Sequence, residues 1–559
     1  MAGNIQQVLE IFSQLIEGIS KHPGYEEQAQ RVKNFRKSVE DLMGSDIFAT
    51  GNQAAGSFVV NFLIAYQNSL KSLVFSAKVQ KKSRKIKILL LIEKIDLLVR
   101  SLTFAFNLPF DDFEFLPEDH PRKKALDSVT STFTEDSKTI AKQVSGFIKQ
   151  YNQIKATFFT ACKFKSSKSR DLLTTSLLMY YSMFTKKCNK IIAKSSTSNK
   201  IDSLCQLWNV TETPVLKKLL PATFPSIPYK TQIYLPRLSP LITDSQAPPP
   251  DQQHYIDLIN QEPLLAGAKY TFSPDPQNLR IPVLVLSKSP LHKIKHEQIR
   301  EHKKSCFTSN PSGHTKYEKI IIHVHGGGFI GQSPFSHQNY TRAWVNELDV
   351  PVFSIEYRLA PKNKFPDGLD DVWQAYTWIV KYAHRYLGIV PHKIVLAGDS
   401  AGGNFIIGIC IKAISCGFRV PDGLLLVYPA VNFIMEDVSI GRLLSLEDPI
   451  LTFRTFLLII ESYLKDPSQA KDPLVSPLYC EDSIIESFPR TKMLVTLNDP
   501  LFSDGLRFAD KLLRNRVDLE VYKYPEFIHG CMNMIHSNGI PIFQRFLSDS
   551  IELLQKLLS

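Results

Sequence analysis

The feature that most constrains the fold of this chain is an alternation of short apolar runs with helix-like stretches, which begins near residue 281. The runs are IPVLVLS (281–287), KIIIHV (319–324), PVFSI (351–355), KIVLA (393–397), GLLLVY (423–428), KMLVTL (492–497) and LEVYKY (519–524). Between them lie stretches with helical spacing of apolar residues, such as 367–386 and 504–516. Strands this apolar are buried on both faces, so the pattern predicts an α/β fold with a mostly parallel sheet covered by helices.

A nucleotide-binding fold of the same class is the first alternative. That fold carries G-x-G-x-x-G after its first strand, where the glycines let the backbone approach a pyrophosphate. The sequence does not have this motif at that place. The absence argues against a dinucleotide site.

The first half of the chain has a different pattern. Apolar residues repeat at helical spacing over 5–19 and 88–102, and 57–75, 171–184 and 201–220 are further helix candidates, the last one as a helix, a turn and a second helix. Prolines then crowd PATFPSIPYK, PRLSP and APPPDQQ, which is typical of an extended connector. We therefore expect a large all-helical N-terminal domain with a Pro-rich connector over 1–275, and the α/β domain over 276–559.

The composition is that of an ordinary globular protein with an excess of basic residues. The 559 residues are 44% apolar and carry a formal net charge of +12. Basic patches at 78–87, 163–170 and 292–304 lack the regularly interleaved aromatic residues of a base-stacking surface. We expect solvated faces there, or a surface that meets an anionic membrane, and no nucleic-acid partner.

Cysteine usage and the N-terminal segment bear on the compartment. The eight cysteines include no C-x-x-C pair, and a chain of this size does not need disulfide bonds for stability. The N-terminal segment MAGNIQQVLEIFSQLIEG lacks the basic and apolar regions of a signal peptide. No apolar run reaches the roughly 18 residues of a membrane span. We expect a cytoplasmic protein with reduced thiols.

The sequence GDSAGG follows the run KIVLA and precedes a helix candidate. Its G-x-S-x-G core is Gly398, Asp399, Ser400, Ala401 and Gly402. Between a strand and a helix, this motif predicts a sharp turn that holds the serine in a strained conformation above the sheet, as a nucleophile. Its neighbours are small because the backbone passes close on both sides, and we expect the Asp399 side chain to steady the turn locally.

A second glycine-rich motif, HGGGF, ends the run KIIIHV. Glycines let backbone N–H groups point at one spot, where they stabilise the oxyanion that forms when a serine attacks an ester carbonyl. We predict Gly327 and Gly328 as donors, with Ala401 as a third, while His325 and Gly326 support the loop. Alone, this motif is more typical of an ordinary turn, but the serine motif GDSAGG about 70 residues later favours the oxyanion hole.

A serine needs a histidine base and a carboxylate that fixes the imidazole, and in this kind of fold they follow it in the order acid, then histidine. Asp499 ends the run KMLVTL, at the edge where α/β sheets gather their sites. Asp504 is the rival, but its position suggests a helix N-cap. His529, before a glycine, is the predicted base, and His536 is its rival.

Together these residues resemble the hormone-sensitive lipase family of α/β-hydrolases. The matching segments are HGGGF, YRLAPKNKFPDGLDDVWQAYTW (357–378), GDSAGGN, VPDGLLLVYPA (420–430), DPL (499–501) and HG (529–530). LCQLWNVTETPVLKKL (204–219) and GRLLSLEDPIL (441–451) extend the resemblance to the first half and to the catalytic half. The resemblance implies an α/β-hydrolase fold with Ser400, Asp499 and His529 as the catalytic triad.

The resemblance also implies the substrates, which are diacylglycerol, other acylglycerols and cholesteryl or retinyl esters. Vertebrate members insert a long regulatory module before the strand that carries the triad aspartate. Here Asp448 and Asp499 are only about fifty residues apart, too few for such a module.

The resulting hypothesis is a lipase that forms an acyl-enzyme and needs neither metal ion nor cofactor. Its expected partners are an acylglycerol or sterol-ester substrate, a lipid-droplet or anionic membrane surface, and a second copy of the chain in a homodimer. A short-acyl carboxylesterase or deacetylase is the alternative, because the segment 452–464 can line an acyl pocket or fill a core. A non-catalytic lipid-binding scaffold is the third hypothesis.

Overall fold

The computed structural model of the chain describes residues 119–133, 137–161, 201–240, 270–272, 280–291, 317–437, 439–446, 448–534 and 541–559, with isolated residues within 10–40, 113–116 and 180–191. The predicted helices at 5–19, 57–75, 88–102 and 171–184 lie wholly or mostly outside these residues, as do the three basic patches. The division into domains at 275 therefore stays a prediction.

Eleven strands are present in the described residues. They are β1 (Thr130–Thr132), β2 (Tyr229–Pro236), β3 (Leu238–Pro240), β4 (Tyr270–Phe272), β5 (Arg280–Ser287), β6 (Lys319–Val324), β7 (Val352–Ile355), β8 (Lys393–Asp399), β9 (Gly423–Val427), β10 (Arg490–Asn498) and β11 (Leu519–Ile528). The seven predicted strands are β5 to β11. Their ends agree with the prediction within two residues, except that β11 continues to Ile528.

Eleven α-helices are present in the same residues. They are α1 (Pro121–Ser128), α2 (Ser137–Ala161), α3 (Ile201–Trp208), α4 (Pro214–Leu219), α5 (Gln338–Leu348), α6 (Asp367–Leu387), α7 (Ala401–Cys416), α8 (Phe453–Tyr463), α9 (Asp482–Ile485), α10 (Phe502–Arg514) and α11 (Pro541–Leu558). Short 3-10 helices lie at Val210–Glu212, Leu220–Thr223, Ile440–Leu446, Pro467–Lys471, Pro477–Tyr479 and Cys531–Met534. The predicted helix–turn–helix over 201–220 is present as α3 and α4.

Nine strands form one sheet in the order β1-β11-β10-β9-β8-β6-β7-β5-β2. The neighbours from β1 to β7 are parallel, whereas β5 is antiparallel to both β7 and β2. β3 and β4 form a separate antiparallel pair. The α/β architecture predicted from the apolar runs is confirmed, because the central strands are parallel and joined by helices.

Successive residues of each central strand enter different cores. In β6, Ile320 and Ile322 lie in a core with residues of α6, α7 and α10, while Ile321 lies in a core with residues of α5 and α11. Both faces of the strand are therefore buried, which is why its sequence is almost uniformly apolar.

Residues of the N-terminal half cover both edges of this sheet. β1 extends the sheet beyond β11, and β2 extends it beyond β5. A strand at 130–132 differs from the expected all-helical first half, and β2 lies in the segment expected to be an extended connector. Within the described part of the chain, no helix is long and apolar enough to cross a bilayer.

Candidate active site

Ser400 occupies the turn between β8 and α7. Its backbone has φ 53° and ψ −117°, a strained conformation for a residue with a side chain, as the motif predicted. Its N–H donates to the carbonyl of Val427 at 2.9 Å, which fixes the turn against β9. Gly402 must lack a side chain, because a Cβ there would collide with the backbone carbonyl of Val324. The turn therefore raises Ser400 at the carboxyl edge of the sheet.

Ser400, His529 and Asp499 form a continuous chain of hydrogen bonds. The Oγ of Ser400 lies 2.9 Å from Nε2 of His529, and Nδ1 of His529 lies 2.8 Å from Oδ2 of Asp499. All three side chains are buried. The three residues singled out in the sequence thus come together from β8, the end of β11 and the end of β10.

The carboxylate of Asp499 is held by two further donors. The hydroxyl of Thr496 donates to Oδ2 at 2.9 Å, and the N–H of Leu501 donates to Oδ1 at 2.8 Å. Burial by itself lowers the pKa of His529, but the charge and hydrogen bond of Asp499 outweigh it and raise the pKa above its usual value. The imidazole is therefore placed and electrostatically tuned to accept a proton.

The HGGG loop lies beside this chain of hydrogen bonds. Gly327 has φ +104° and a Cβ there would collide with the carbonyl of Gly331, so this position requires glycine. Among the described residues, none accepts a hydrogen bond from the N–H of Gly327, Gly328 or Ala401. Three predicted oxyanion donors thus lack acceptors among the residues that the structure describes.

Asp399 links the serine turn to the HGGG loop. Its Oδ1 accepts hydrogen bonds from the N–H of Gly326 and the hydroxyl of Tyr340, both at 3.0 Å. Nε2 of His337 lies 3.5 Å from the same oxygen. Burial alone raises the pKa of Asp399, but His337, His323 and the Tyr340 hydrogen bond outweigh it and lower that pKa. We expected a local bond, whereas the partner at Gly326 is 73 residues away.

His325 supports the same loop through its ring. The ring stacks on Tyr357 with centroids 4.2 Å apart, and Nδ1 lies 2.8 Å from the carbonyl oxygen of Gly326. Burial lowers the pKa of His325 to about 3, so the imidazole is neutral at physiological pH. A neutral ring donates from Nδ1 to the carbonyl and fixes the start of the loop.

The two rivals named from the sequence have different outcomes. Asp504 is not an N-cap, because α10 already begins at Phe502 and Asp504 lies inside its first turn. Its carboxylate is buried and pairs with Arg442 at 3.1 Å and Arg507 at 3.3 Å. Asp504 thus pairs with two arginines, whereas the carboxylate that is hydrogen-bonded to His529 is that of Asp499. His536 lies outside the described residues.

Sequence reasoning missed several buried polar residues around the site. Asp448 lies near His529 and Asp499, and burial is the main cause that raises its pKa to about 6. Tyr340 of α5 and His337, the residue just before that helix, both approach Asp399. Only their position after HGGGF, in SHQNY, could have indicated them. Within the described ranges, no cluster of histidine, cysteine or acidic residues could hold a metal ion.

The segment that matches known proteins contains Ser400, Asp499 and His529. The family model described as alpha/beta hydrolase fold matches residues 321–533. Hormone-sensitive lipase of Mus musculus is 44% identical over 144 residues, 26% of this chain and 19% of that one. Ethyl acetate hydrolase of Pseudomonas putida is 28% identical over 215 residues, 38% of this chain and 66% of that one. The resemblance to the hormone-sensitive lipase family is confirmed over the matched segment.

Among solved structures, an esterase of Pyrobaculum calidifontis is 20% identical, covering 64% of this chain and 94% of that one, with a TM-score of 0.46. A similarity of this size adds no support beyond the family model and the sheet topology. The chain spans no more than 20% of the length of the four vertebrate hormone-sensitive lipases that it matches.

Proposed function

We propose that this chain, whose residues 321–533 belong to the alpha/beta hydrolase fold family, is a serine hydrolase of carboxylic esters. The observation that carries the proposal is the chain of hydrogen bonds from Ser400 through His529 to Asp499, beside three backbone N–H groups that no described residue accepts from. A nucleophile, its base, an orienting carboxylate and oxyanion donors are the parts that acyl transfer needs.

The proposed reaction has two halves. In the first, Oγ of Ser400 attacks the ester carbonyl carbon while Nε2 of His529 takes its proton, and the alcohol then leaves with that proton. In the second, His529 takes a proton from water, the water oxygen attacks the acyl carbon, and Ser400 is released with the free acid. Asp499 holds the imidazole with its proton on Nδ1 and stabilises the imidazolium in both halves.

Gly327, Gly328 and Ala401 are proposed to hold the carbonyl oxygen as it becomes negative. Their N–H groups have no acceptor in the described part of the chain, so no hydrogen bond of that part has to break when the oxyanion forms. Such preorganised donors act in a buried site, where each is worth about 10²–10³-fold in rate.

The proposed substrates are lipid esters, namely diacylglycerol, other acylglycerols and cholesteryl esters, in lipid catabolism. The identity to hormone-sensitive lipases, extending to 44%, supports this class. The buried apolar face of α8 includes Phe456, and also Ile459, which packs against Gly328 of the HGGG loop; this face suits an apolar acyl chain. A short-acyl carboxylesterase or deacetylase is the second candidate, which the similarity to ethyl acetate hydrolase favours.

We also propose a setting for the reaction. The net charge of +12 suits an anionic membrane or the coat of a lipid droplet, reached from the cytoplasm. A homodimer is proposed with it. Flotation of the protein with phosphatidylserine-containing droplets, lost in high salt, would support the surface, and sedimentation at two concentrations would test the dimer.

The test compares the parent with Ser400→Ala on p-nitrophenyl esters of increasing acyl length and on emulsified dioleoylglycerol. Ser548→Ala, which changes an exposed serine of α11, is the matched control and should retain the parent's activity. Release of oleate by the parent and the control alone supports the lipase. Cleavage of short soluble esters alone favours the second candidate. Equal rates of hydrolysis in the parent and in Ser400→Ala refute Ser400 as the nucleophile, whereas no hydrolysis by either protein favours a non-catalytic scaffold.

A further inference from the structure

The loop that carries the oxyanion donors is held in an unfavourable backbone conformation. Gly327, Gly328, Phe329 and Gln332 all have positive φ, at 104°, 56°, 63° and 68°. Two of these residues carry side chains, for which the left-handed region is disfavoured. A loop of this kind persists only when surrounding contacts determine its conformation.

The middle of the loop is fixed by contacts within the α/β core. The N–H groups of Ile330 and Gly331 both donate to the carbonyl of Gly327 at 3.1 Å. The ring of Phe329 stacks on Tyr463 of α8 with centroids 3.8 Å apart. These contacts hold the middle of the loop but leave Gln332, at its far end, to another partner.

That partner comes from the N-terminal half of the chain. The N–H of Gln332 donates to Oδ1 of Asn209 at 2.7 Å, across 123 residues of sequence. The amide nitrogen of Asn209 donates to the carbonyl of Cys205 at 2.8 Å, which fixes the orientation of the side chain. Asn209 therefore presents an acceptor to the loop from the end of α3.

The neighbouring Trp208 limits the space that the loop can occupy. A Cβ at Gly328 would lie 2.7 Å from Cζ3 of the indole and 2.8 Å from Cδ1 of Ile459, so the loop passes between these two side chains. A Cβ at Gly331 would lie 3.0 Å from Cβ of Trp208. Trp208 therefore leaves little space for a side chain at either glycine.

The helix that carries this pair is itself anchored. Leu204 and Leu207 of α3 are buried. These buried leucines fix the position of α3 and therefore of Trp208 and Asn209 at its end.

We propose that Trp208 and Asn209 are positioning residues of the oxyanion hole. They hold the 327–332 loop in the conformation in which the N–H groups of Gly327 and Gly328 stay free for the substrate oxygen. Among the described residues, no hydrogen bond joins either of them to Ser400 or His529. The inference rests on the proposed function, because it assigns to the N-terminal half a part in the same acyl transfer.

The consequence is that the N-terminal half completes the catalytic site. Donors to a developing oxyanion act only within a few tenths of an ångström of their proper place, and a misplacement of about 1 Å costs on the order of 10²-fold in rate. The loss of the Asn209 acceptor should therefore reduce transition-state stabilisation while substrate still binds.

The test uses the full chain with Asn209→Ala, which removes the acceptor, and Asn209→Asp, which keeps an oxygen for Gln332. Thr213→Val is the matched control, because it removes a side-chain hydrogen bond in the same segment, to Val210, away from the loop. Trp208→Phe keeps a ring but loses Cζ3 of the indole. It carries the test if Asn209→Ala does not fold.

The readout that separates positioning from folding is an alkyl trifluoromethyl ketone. The Oγ of Ser400 adds to its carbonyl carbon, the serine proton passes to His529, and the ketone oxygen becomes an alkoxide in the oxyanion hole. An alcohol of the same chain length binds the pocket without forming this adduct. The ratio of the two inhibition constants therefore reports on the hole alone, and a fluorophosphonate titration gives the active fraction.

We expect Asn209→Ala to lower kcat on p-nitrophenyl butyrate and to weaken the ketone by the same factor, about 10- to 100-fold. KM and the inhibition constant of the alcohol should stay within about twofold of the parent. Thr213→Val should be close to the parent, whereas Trp208→Phe and Asn209→Asp, which loses the donor to Cys205, should lie between the parent and Asn209→Ala. A folded Asn209→Ala with the parent's kcat and ketone constant would overturn the positioning role. A fall in activity that a smaller fraction of active protein explains completely would overturn it as well. A parent that neither cleaves the ester nor binds the ketone refutes the proposed function itself.

Discussion

Replacement of Asp399 by alanine should damage both stability and rate, although this carboxylate is not a member of the hydrogen-bonded triad. Asp399 accepts from the N–H of Gly326 in the oxyanion loop and from the hydroxyl of Tyr340 in α5. Both donors are buried beneath the site. Asp399→Ala leaves the N–H of Gly326 without its acceptor and removes one of the two partners of the Tyr340 hydroxyl, which also lies 2.8 Å from Nε2 of His323.

The expected magnitude follows from these two bonds. A buried donor left without an acceptor costs about 1–3 kcal/mol of the free energy of unfolding, so the Gly326 N–H accounts for about 1–3 kcal/mol, and the Tyr340 hydroxyl, which retains His323, adds less than that. Removal of a buried charge recovers part of its desolvation cost and offsets the Tyr340 contribution, so we expect a net loss of about 1–3 kcal/mol. Most domains have about 5–15 kcal/mol, so the variant should still fold.

The rate should fall because Gly326 precedes two of the predicted oxyanion donors. Release of its N–H frees the start of the loop, and we expect kcat to fall about 10²-fold. Asp399→Asn keeps an oxygen for Gly326 and Tyr340, so its losses should be smaller in both quantities.

The assay is urea unfolding followed by tryptophan fluorescence, with hydrolysis of a soluble p-nitrophenyl ester measured on the same preparations. Asp518→Ala is the control, since the side chain of Asp518 is 55% exposed where it pairs with Lys492, and it should cost no more than about 1 kcal/mol. The reasoning is refuted if Asp399→Ala unfolds within about 0.5 kcal/mol of the parent and keeps its kcat.

Two further predictions concern the base and the serine turn. Because Asp499 raises the pKa of His529 above 6.5, kcat/KM should fall as the pH drops through that raised value, where the protonated ring no longer accepts a proton. Asp499→Asn should move this acid limb to lower pH and lower kcat about 10³- to 10⁴-fold, and an unmoved limb would contradict the assignment. Gly402→Ala should destabilise the fold by more than about 3 kcal/mol in urea, because its Cβ meets the Val324 carbonyl. Gly146→Ala, in α2 with nothing within 4 Å of an added Cβ, should instead stabilise the fold by about 0.5–1 kcal/mol. Equal urea midpoints of unfolding for the two variants would contradict the steric argument.

The central sheet could be predicted from sequence because burial on both faces is written directly into the residues. β6 to β10 have no solvated face, so each strand is a short apolar run, and the chemistry follows where such a run ends. Ser400 and Asp499 were found in this way, at the ends of β8 and β10. The local pattern and its place in the fold pointed to the same residues.

The edges of the sheet could not be predicted for the opposite reason. β1 consists of Thr-Ser-Thr, and β2 alternates exposed and partly buried residues between prolines, so neither has the apolar run of a central strand. Both are strands because a neighbour offers an unpaired edge. That partner is distant in sequence and leaves no local signal.

The same limit applies to the residues that hold the site in place. Asn209 meets Gln332 across 123 residues, and Asp399 meets Gly326 across 73. Asp504 was expected to be an N-cap because an acidic residue before a helical stretch is typical of one. Its buried pairing with Arg442, which no spacing indicates, decides its role instead.

The placement of β1 has a consequence for how the chain is made. Arg122, just before β1, pairs with Asp510 across 388 residues, and β1 itself pairs with β11. At about 5–20 residues per second, a ribosome needs roughly 20–80 s to add the intervening chain. Throughout that time the early segment has no native edge to join, so the sheet is completed only after its last strand has been synthesised.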